Sequence, residues 1–413
     1  MSQSGPCLWT GLPQSSPAPC ERFKLACCSH QHHVYVLGGR HSTCYSDFWR
    51  YNVVCNEWTE LNCTGEAAPE ALEEHSMVTH EGFLFVFGGM LDSAYSSLRC
   101  PLWVFDIMKQ KWVQWRGKTP QVETPSNRKA HSAVVIGSAM LVYGGYIDLK
   151  GSSQEFWSLD LDSMVWSPVA SSPQTSLGPG PRHSHSSTAF HSCMYLYGGL
   201  KGLREQRDFW MWNCTSSTWS SLRTKSGPSK LVGHSAVTYK DCMLIFGGYE
   251  SQNSPQNCLW RYNFSSQSWN QLPTLPGSHP PHKVHHCCVG LGPSYSLQSG
   301  KSTLTSETHL NNKIRHFKNK CFPTQLSFLG SENAIELQML TPQKSSSCES
   351  TDKEWRMDCL TFENKALRKR LSFEEELDEN ISQNLPDMML VIGGRPCTLH
   401  KPVSVWQMTL TDS

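Results

Sequence analysis

An apolar run ending in a glycine pair occurs six times in this chain. The six are VYVLGG to Gly39, LFVFGG to Gly89, MLVYGG to Gly145, MYLYGG to Gly199, MLIFGG to Gly248 and MLVIGG to Gly394. A second, aromatic run follows each: DFWRYN, PLWVFD, EFWSLD, DFWMWN, CLWRYN and VSVWQMT. In five of them another Trp lies nine residues beyond the first, pairing Trp49 with Trp58, Trp103 with Trp112, Trp157 with Trp166, Trp210 with Trp219 and Trp260 with Trp269. His75, His131, His185 and His234 each stand fourteen residues before the second glycine of a pair. Fixed intervals separated by variable loops describe a repeated unit, here of about 50 residues.

Short runs with period-2 alternation, bounded by Gly, Pro and Ser, predict four antiparallel strands per unit. The glycine pairs allow positive φ where neighbouring units crowd, and 15 Trp supply the bulk that fills the wedges between sheets. One twisted sheet cannot bury both faces, so the units are predicted to stack around an axis. In these motifs the sequence resembles the kelch-repeat β-propeller family, over nearly its whole length apart from one insertion. The expected fold is all-β, a six-bladed kelch propeller closed by an N-terminal strand.

The closure follows from counting. The sixth unit ends at Trp406, and nine residues on lies past Ser413, so this unit lacks an outer strand. Near the N-terminus, CLWTGLPQ offers an outer strand with no unit before it. Trp9 precedes Gly39 by 30 residues, against 31 from Trp58 to Gly89. The two ends therefore share the last blade, which removes the free sheet edges of an open array. The domain division is a propeller over 1–292 and 387–413, with an insertion over 293–386. That insertion lies between the first strand, in HKVHHCCVGLG, and MMLVIGG. Its Ser- and Lys-rich stretches are predicted to be largely disordered, with a short charged helix in LTFENKALRKRLSFEEELDENI. Within it RKRLS resembles a basophilic-kinase site at Ser372, against the plainer reading of a solvated charged helix.

With 413 residues, 38% hydrophobic and a formal net charge of +1, the sequence is able to bury a large core and exerts no global pull on nucleic acid or acidic membranes. No secretory signal or membrane span is visible. The 18 Cys are expected to be reduced, in the cytoplasm and possibly the nucleus. Sequons at Asn62, Asn213, Asn263 and Asn380 point the other way, to an extracellular module lacking its leader.

The recurrent histidines, and the clusters HHCC (His285 to Cys288) and CC (Cys27 and Cys28), raise metal binding. Neighbouring strand residues point to opposite faces, so these cannot all ligate one ion, and no metal or other cofactor is expected.

Strand alternation places the loops between blades on the same face as the loops between second and third strands, with the insertion on the opposite face. On the first face Arg128 and Arg182 stand three residues before the repeat histidine, and Arg22 keeps that register. Lys230 comes one place early in blade five, and His282 is read into blade six. Leu72, followed by Glu73 and Glu74, interrupts the set. Arg40 and Arg395 follow glycine pairs, and Lys201 and Arg204 lie in GGLKGLREQRD.

Arginine offers bidentate donors for carboxylate or phosphate. These eight residues (Arg22, Arg40, Arg128, Arg182, Lys201, Arg204, Lys230 and Arg395) are therefore read as a basic pocket for an acidic peptide, the C-terminus of a protein or a phosphorylated motif. For the arginines before the histidine a structural turn-capping role is the alternative. The resemblance implies a non-enzymatic, monomeric protein-recognition module or adaptor. It also leaves open a ubiquitin-ligase substrate receptor acting through another subunit, since no BTB, BACK or F-box segment precedes the repeats. A metal-dependent enzyme, as in galactose oxidase, is the remaining alternative.

Overall fold

A computed structural model describes residues 5–89, 101–113, 123–170, 178–250, 254–295, 381 and 384–411. Six four-stranded antiparallel sheets form the body. In each of the first five, consecutive strands run in order from the axis outward, as in blade three with Ser132–Ile136, Ala139–Tyr143, Phe156–Asp160 and Val165–Pro168. First strands of neighbouring blades touch one another around the axis. Two short hairpins stand apart from the blades, Tyr146–Ile147 with Gly151–Ser152 and Leu200–Lys201 with Arg204–Glu205.

The second strand of each blade lies in mid-sheet with a neighbouring blade on either side. Its apolar run is therefore buried continuously instead of alternating, as in Phe83–Phe87, Cys242–Phe246 and Met388–Ile392. Outer strands face solvent on one side and keep alternation. Trp58 is buried between exposed neighbours in Glu57–Leu61, and Trp219 is the buried residue of Thr218–Ser221.

The glycine pair and the repeat histidine explain one another. In blade three Gly144 (φ +67) and Gly145 (φ +94) lie between the blade's own His131 and His185 of the next blade. A Cβ on Gly144 would sit 2.6 Å from the Arg182 carbonyl oxygen, and one on Gly145 would sit 2.9 Å from the His131 Cβ. Any larger residue would force two blades apart. The imidazoles add cross-blade hydrogen bonds: His131 Nε2 with Ser76 Oγ at 2.8 Å, and His185 Nε2 with Ser132 Oγ at 2.9 Å. Leu25 takes the histidine's place in blade one, with Gly39 packed against it.

Blade six is built from both ends of the polypeptide. Its order from the axis is Cys287–Leu291, Met388–Ile392, Val405–Leu410 and then Cys7–Leu12. Trp9 pairs with Met408 just as Trp58 pairs with Tyr51 and Trp166 with Leu159, so its register is that of an outer-strand Trp. It is buried, 4.6 Å from Phe246 of blade five, and its backbone N–H donates to Ser278 Oγ. Losing such a ring from a packed wedge costs about 3–5 kcal/mol. The N-terminal segment also bonds directly to the segment leaving blade five, Cys7 N–H to the Pro273 carbonyl.

The insertion leaves the end of Cys287–Leu291 and returns at Met388–Ile392, and these strands pair directly from Cys287 with Ile392 to Leu291 with Met388. Its base is tied by the Ser294 N–H donating to Asp387 Oδ1. The expected charged helix and Ser372 lie outside the described residues.

Candidate functional site

The peptide just before each first strand lies at the axis: Lys24, Glu74, Ala130, Ser184, Gly233 and His285 all have positive φ. Each donates its N–H to the carbonyl of the corresponding residue one blade back, at 2.8 to 3.1 Å, and Lys24 donates to His285 to close the circle. Six blades thus share one cyclic hydrogen-bond ring, with the repeat histidines beneath it around a cavity of about 120 Å³. Burial leaves those histidines neutral, His75, His131, His234 and His286 each lowered to about 3.

Above this ring the sequence-derived cations separate into two groups. Arg22, Arg128 and Arg182 are almost wholly buried, at 1%, 1% and 0% exposure. Arg182 donates to both oxygens of Asp208 at 2.8 and 2.7 Å and to the Gly198 carbonyl at 2.9 Å. Arg22 grips Asp47 bidentately at 2.5 and 2.8 Å, and Arg128 reaches Glu155 at 2.5 Å. Each carboxylate also accepts the indole N–H two residues on, from Trp49, Trp157 or Trp210. Burial opposes ionisation of Asp208, but the bonds from Arg182 and Trp210 outweigh it and hold the carboxyl below its usual range.

These three arginines therefore clamp the loop between second and third strands, and the expectation that they face a partner is corrected. A guanidinium so enclosed presents no donor to solvent, where a partner would have to meet it. The register assigned in blade six also shifts. The position three before the histidine is Lys283, not His282, and in blade five it is Leu231, with Lys230 one place before it as expected. Each carbonyl there accepts the N–H of the preceding blade's second glycine, as the carbonyls of Arg128 and Arg182 do. Lys283 is buried and bonds Ser404 Oγ at 2.8 Å and Glu21 at 3.4 Å, so the N-terminal segment lends blade six its carboxylate.

The second group is open to solvent. Arg395 is exposed, its guanidinium stacked 4.0 Å above the Phe23 ring, and among the described residues no carboxylate pairs with it. Arg40 is half-exposed and shares Glu73 at 3.1 Å. Lys24, which sequence reasoning passed over, reaches the axis and meets Glu74 at 3.2 Å. Burial, and then the charges of Lys24, Arg395 and His183, hold the neighbouring His285 at about 4. Lys201 and Arg204 are exposed on the blade-four hairpin, and Lys230 is exposed between blades four and five. The structure thus brings Lys24, Arg40 and Arg395 together by the axis, and leaves Lys201, Arg204 and Lys230 farther round the same face.

Among the described residues the thiols do not converge with two further metal-type donors. The Cys27 N–H donates to Cys287 Sγ at 3.1 Å, and burial pushes the Cys27, Cys28 and Cys288 thiols well above their usual range. Among the described residues three metal-type donors converge at His80, Glu81 and Asp162, on the opposite face.

The sequence profile of the KLHDC2/KLHL20/DRC7 Kelch-repeats domain matches residues 5–122 and 74–300. The chain belongs to the kelch-repeat family. It is similar to Kelch domain-containing protein 10 of Xenopus laevis, 27% identical over 221 residues, 52% of this chain and 53% of that protein. It is similar to Kelch domain-containing protein 3 of Bos taurus, 30% identical over 208 residues, 46% of this chain and 51% of that protein. The Leucine-zipper-like transcriptional regulator 1 homolog of Drosophila melanogaster is 27% identical over 259 residues, 58% of this chain and 25% of that protein. The match spans about half the length of the kelch domain-containing relatives. Kelch propellers typically serve as protein-interaction modules.

Proposed function

We propose that this kelch protein is a non-enzymatic recognition module that binds the anionic end or segment of a protein partner on the face carrying Lys24, Arg40 and Arg395. The observation that carries this reading is Arg395. An exposed guanidinium braced on an aromatic ring, with no carboxylate beside it among the described residues, keeps its planar donor fork free for a carboxylate or phosphate. Nothing in the blade's construction calls for a cation there, unlike the three clamp arginines. Glu73 and Glu74 partly neutralise Arg40 and Lys24, so a ligand has to displace or share those pairs. That favours a compact, doubly oxygenated anion such as a C-terminal carboxylate, an acidic side chain or a phosphate.

The reading is tested by capturing partners on immobilised wild type beside a Lys24→Ala, Arg40→Ala, Arg395→Ala variant. All three side chains reach solvent, so folding is expected to survive and the melting curves to coincide. Loss of a specific partner is the expected result. An unchanged set of captured proteins overturns the proposal.

A further inference from the structure

A second cavity lies away from the axis. A groove of about 560 Å³ runs between blades three and four, walled by Trp157, Pro168, Val169, Pro181 and Trp219, with Lys201 at its edge. The two short hairpins directly adjoin it in sequence, one ending just before Gln154 and the other containing Lys201. Each hairpin holds up a bare leucine at its tip: Leu149 is 101% exposed and Leu203 is 96% exposed.

A leucine is a poor choice at either place for folding alone. It buries nothing there, and Leu149 sits at φ +67, a conformation that Gly or Asn adopts at lower cost. Single exposed leucines are ordinary. Here two stand at the tips of equivalent hairpins in adjacent blades, and each hairpin adjoins or enters the lining of an aromatic and proline-walled groove in sequence.

The exposed charges on and beside these two hairpins are mostly cationic. Lys150, Lys201, Arg204 and Arg207 are exposed, and among the described residues no carboxylate forms an ion pair with any of them. Of the carboxylates nearby, Glu155 is paired with Arg128, Asp148 with Lys129 and Asp208 with Arg182, while Glu205 stands beside Arg204 on the same hairpin. We propose that this groove and its two leucine tips form a second contact site, for an acidic peptide segment that inserts a large apolar side chain. Acidic residues of the segment meet Lys150, Lys201 and Arg204, while its apolar residue enters the groove that the two hairpins adjoin. The site stands on its own residues and does not require the axial cluster.

The test uses the full-length protein and a short labelled peptide in which Asp and Glu flank a Phe and a Leu, read by fluorescence anisotropy. One control peptide has both apolar residues replaced by alanine, and another has Lys in place of the acids. Saturable binding is expected for the first peptide only, with hydrogen-exchange protection over 146–152 and 200–205. Lys201→Glu with Leu203→Asp is expected to weaken it by about tenfold or more, while Arg395→Ala leaves it unchanged. Absence of saturable binding, or equal binding of the alanine peptide, would show that these hairpins are only a charged surface and overturn the site. If replacing residues 171–177 with Gly and Ser raised affinity, the groove would belong to the protein's own loop, and the proposal would also fail.

Discussion

Arg182 and Arg395 lie on one face of one propeller and have opposite lives. Arg182 has no exposed surface and is locked to Asp208, Gly198 and Pro179. Arg395 lies over Phe23 in solvent. The difference is not the residue but what the repeat provides 26 positions after Arg182. Blades with an Arg at the clamp position carry a carboxylate two residues before the inner Trp: Arg22 with Asp47, Arg128 with Glu155, Arg182 with Asp208. Blades two and five lack both partners at once, having Leu72 with Pro101 and Leu231 with Cys258. A buried charge is kept only with its counter-charge, because an unpaired one costs too much. A cation on this face without such a partner stays in solvent and is free to bind.

The comparison presupposes a closed ring, so the largest effect is expected from deleting residues 1–13. This removes the outer strand of blade six and the Trp9 wedge, and the cooperative melt of the full-length protein should be lost by calorimetry. A deletion that melts like wild type would break the account of closure.

Acid should act next. The axial histidines hold folded values near 3, against about 6.5 in the unfolded state. Between those values the unfolded state takes up protons that the fold refuses, so stability is complete above about pH 7 and falls as pH drops. The slope reaches about 1.4 kcal/mol per pH unit for each such histidine. The clamp carboxylates add to the loss only at lower pH, once Asp208 and Glu155 are protonated. A melting temperature independent of pH between about 7 and 5 would contradict the buried neutral ring.

Within the clamps, Arg182→Ala should cost about 3 kcal/mol in chemical denaturation, since it strands Asp208. Arg182→Leu combined with Asp208→Cys copies blade five and should recover most of that loss, to within about 1.5 kcal/mol of wild type. If the double variant is no better than the single, the two residues do not act as a unit. The smallest effect on stability is expected from Arg395→Ala, within about 0.5 kcal/mol.

The blades, the ring closure and the place of the insertion were all legible in the glycine pairs and Trp intervals, because these residues occupy positions where geometry admits little else. The sorting of the arginines was less legible. Their carboxylates were in plain view in DFWRYN, EFWSLD and DFWMWN, yet a partner 26 residues away, as in Arg182 with Asp208, is not found by reading each position alone. The useful signal was co-occurrence across blades of one protein, Arg with acid or neither. Lys24 escaped for another reason: it precedes Leu25, which replaces the histidine that marks this position elsewhere. The groove between blades three and four is a product of packing between two blades, which no single stretch of sequence displays.

The division between building and binding cations is tested most directly by quantitative mass spectrometry of proteins captured on three baits side by side: wild type, Arg182→Leu with Asp208→Cys, and Arg395→Ala. The account predicts that the clamp-swapped variant keeps the specific partner and that Arg395→Ala loses it. A partner that survives Arg395→Ala but disappears with the clamp swap would contradict it.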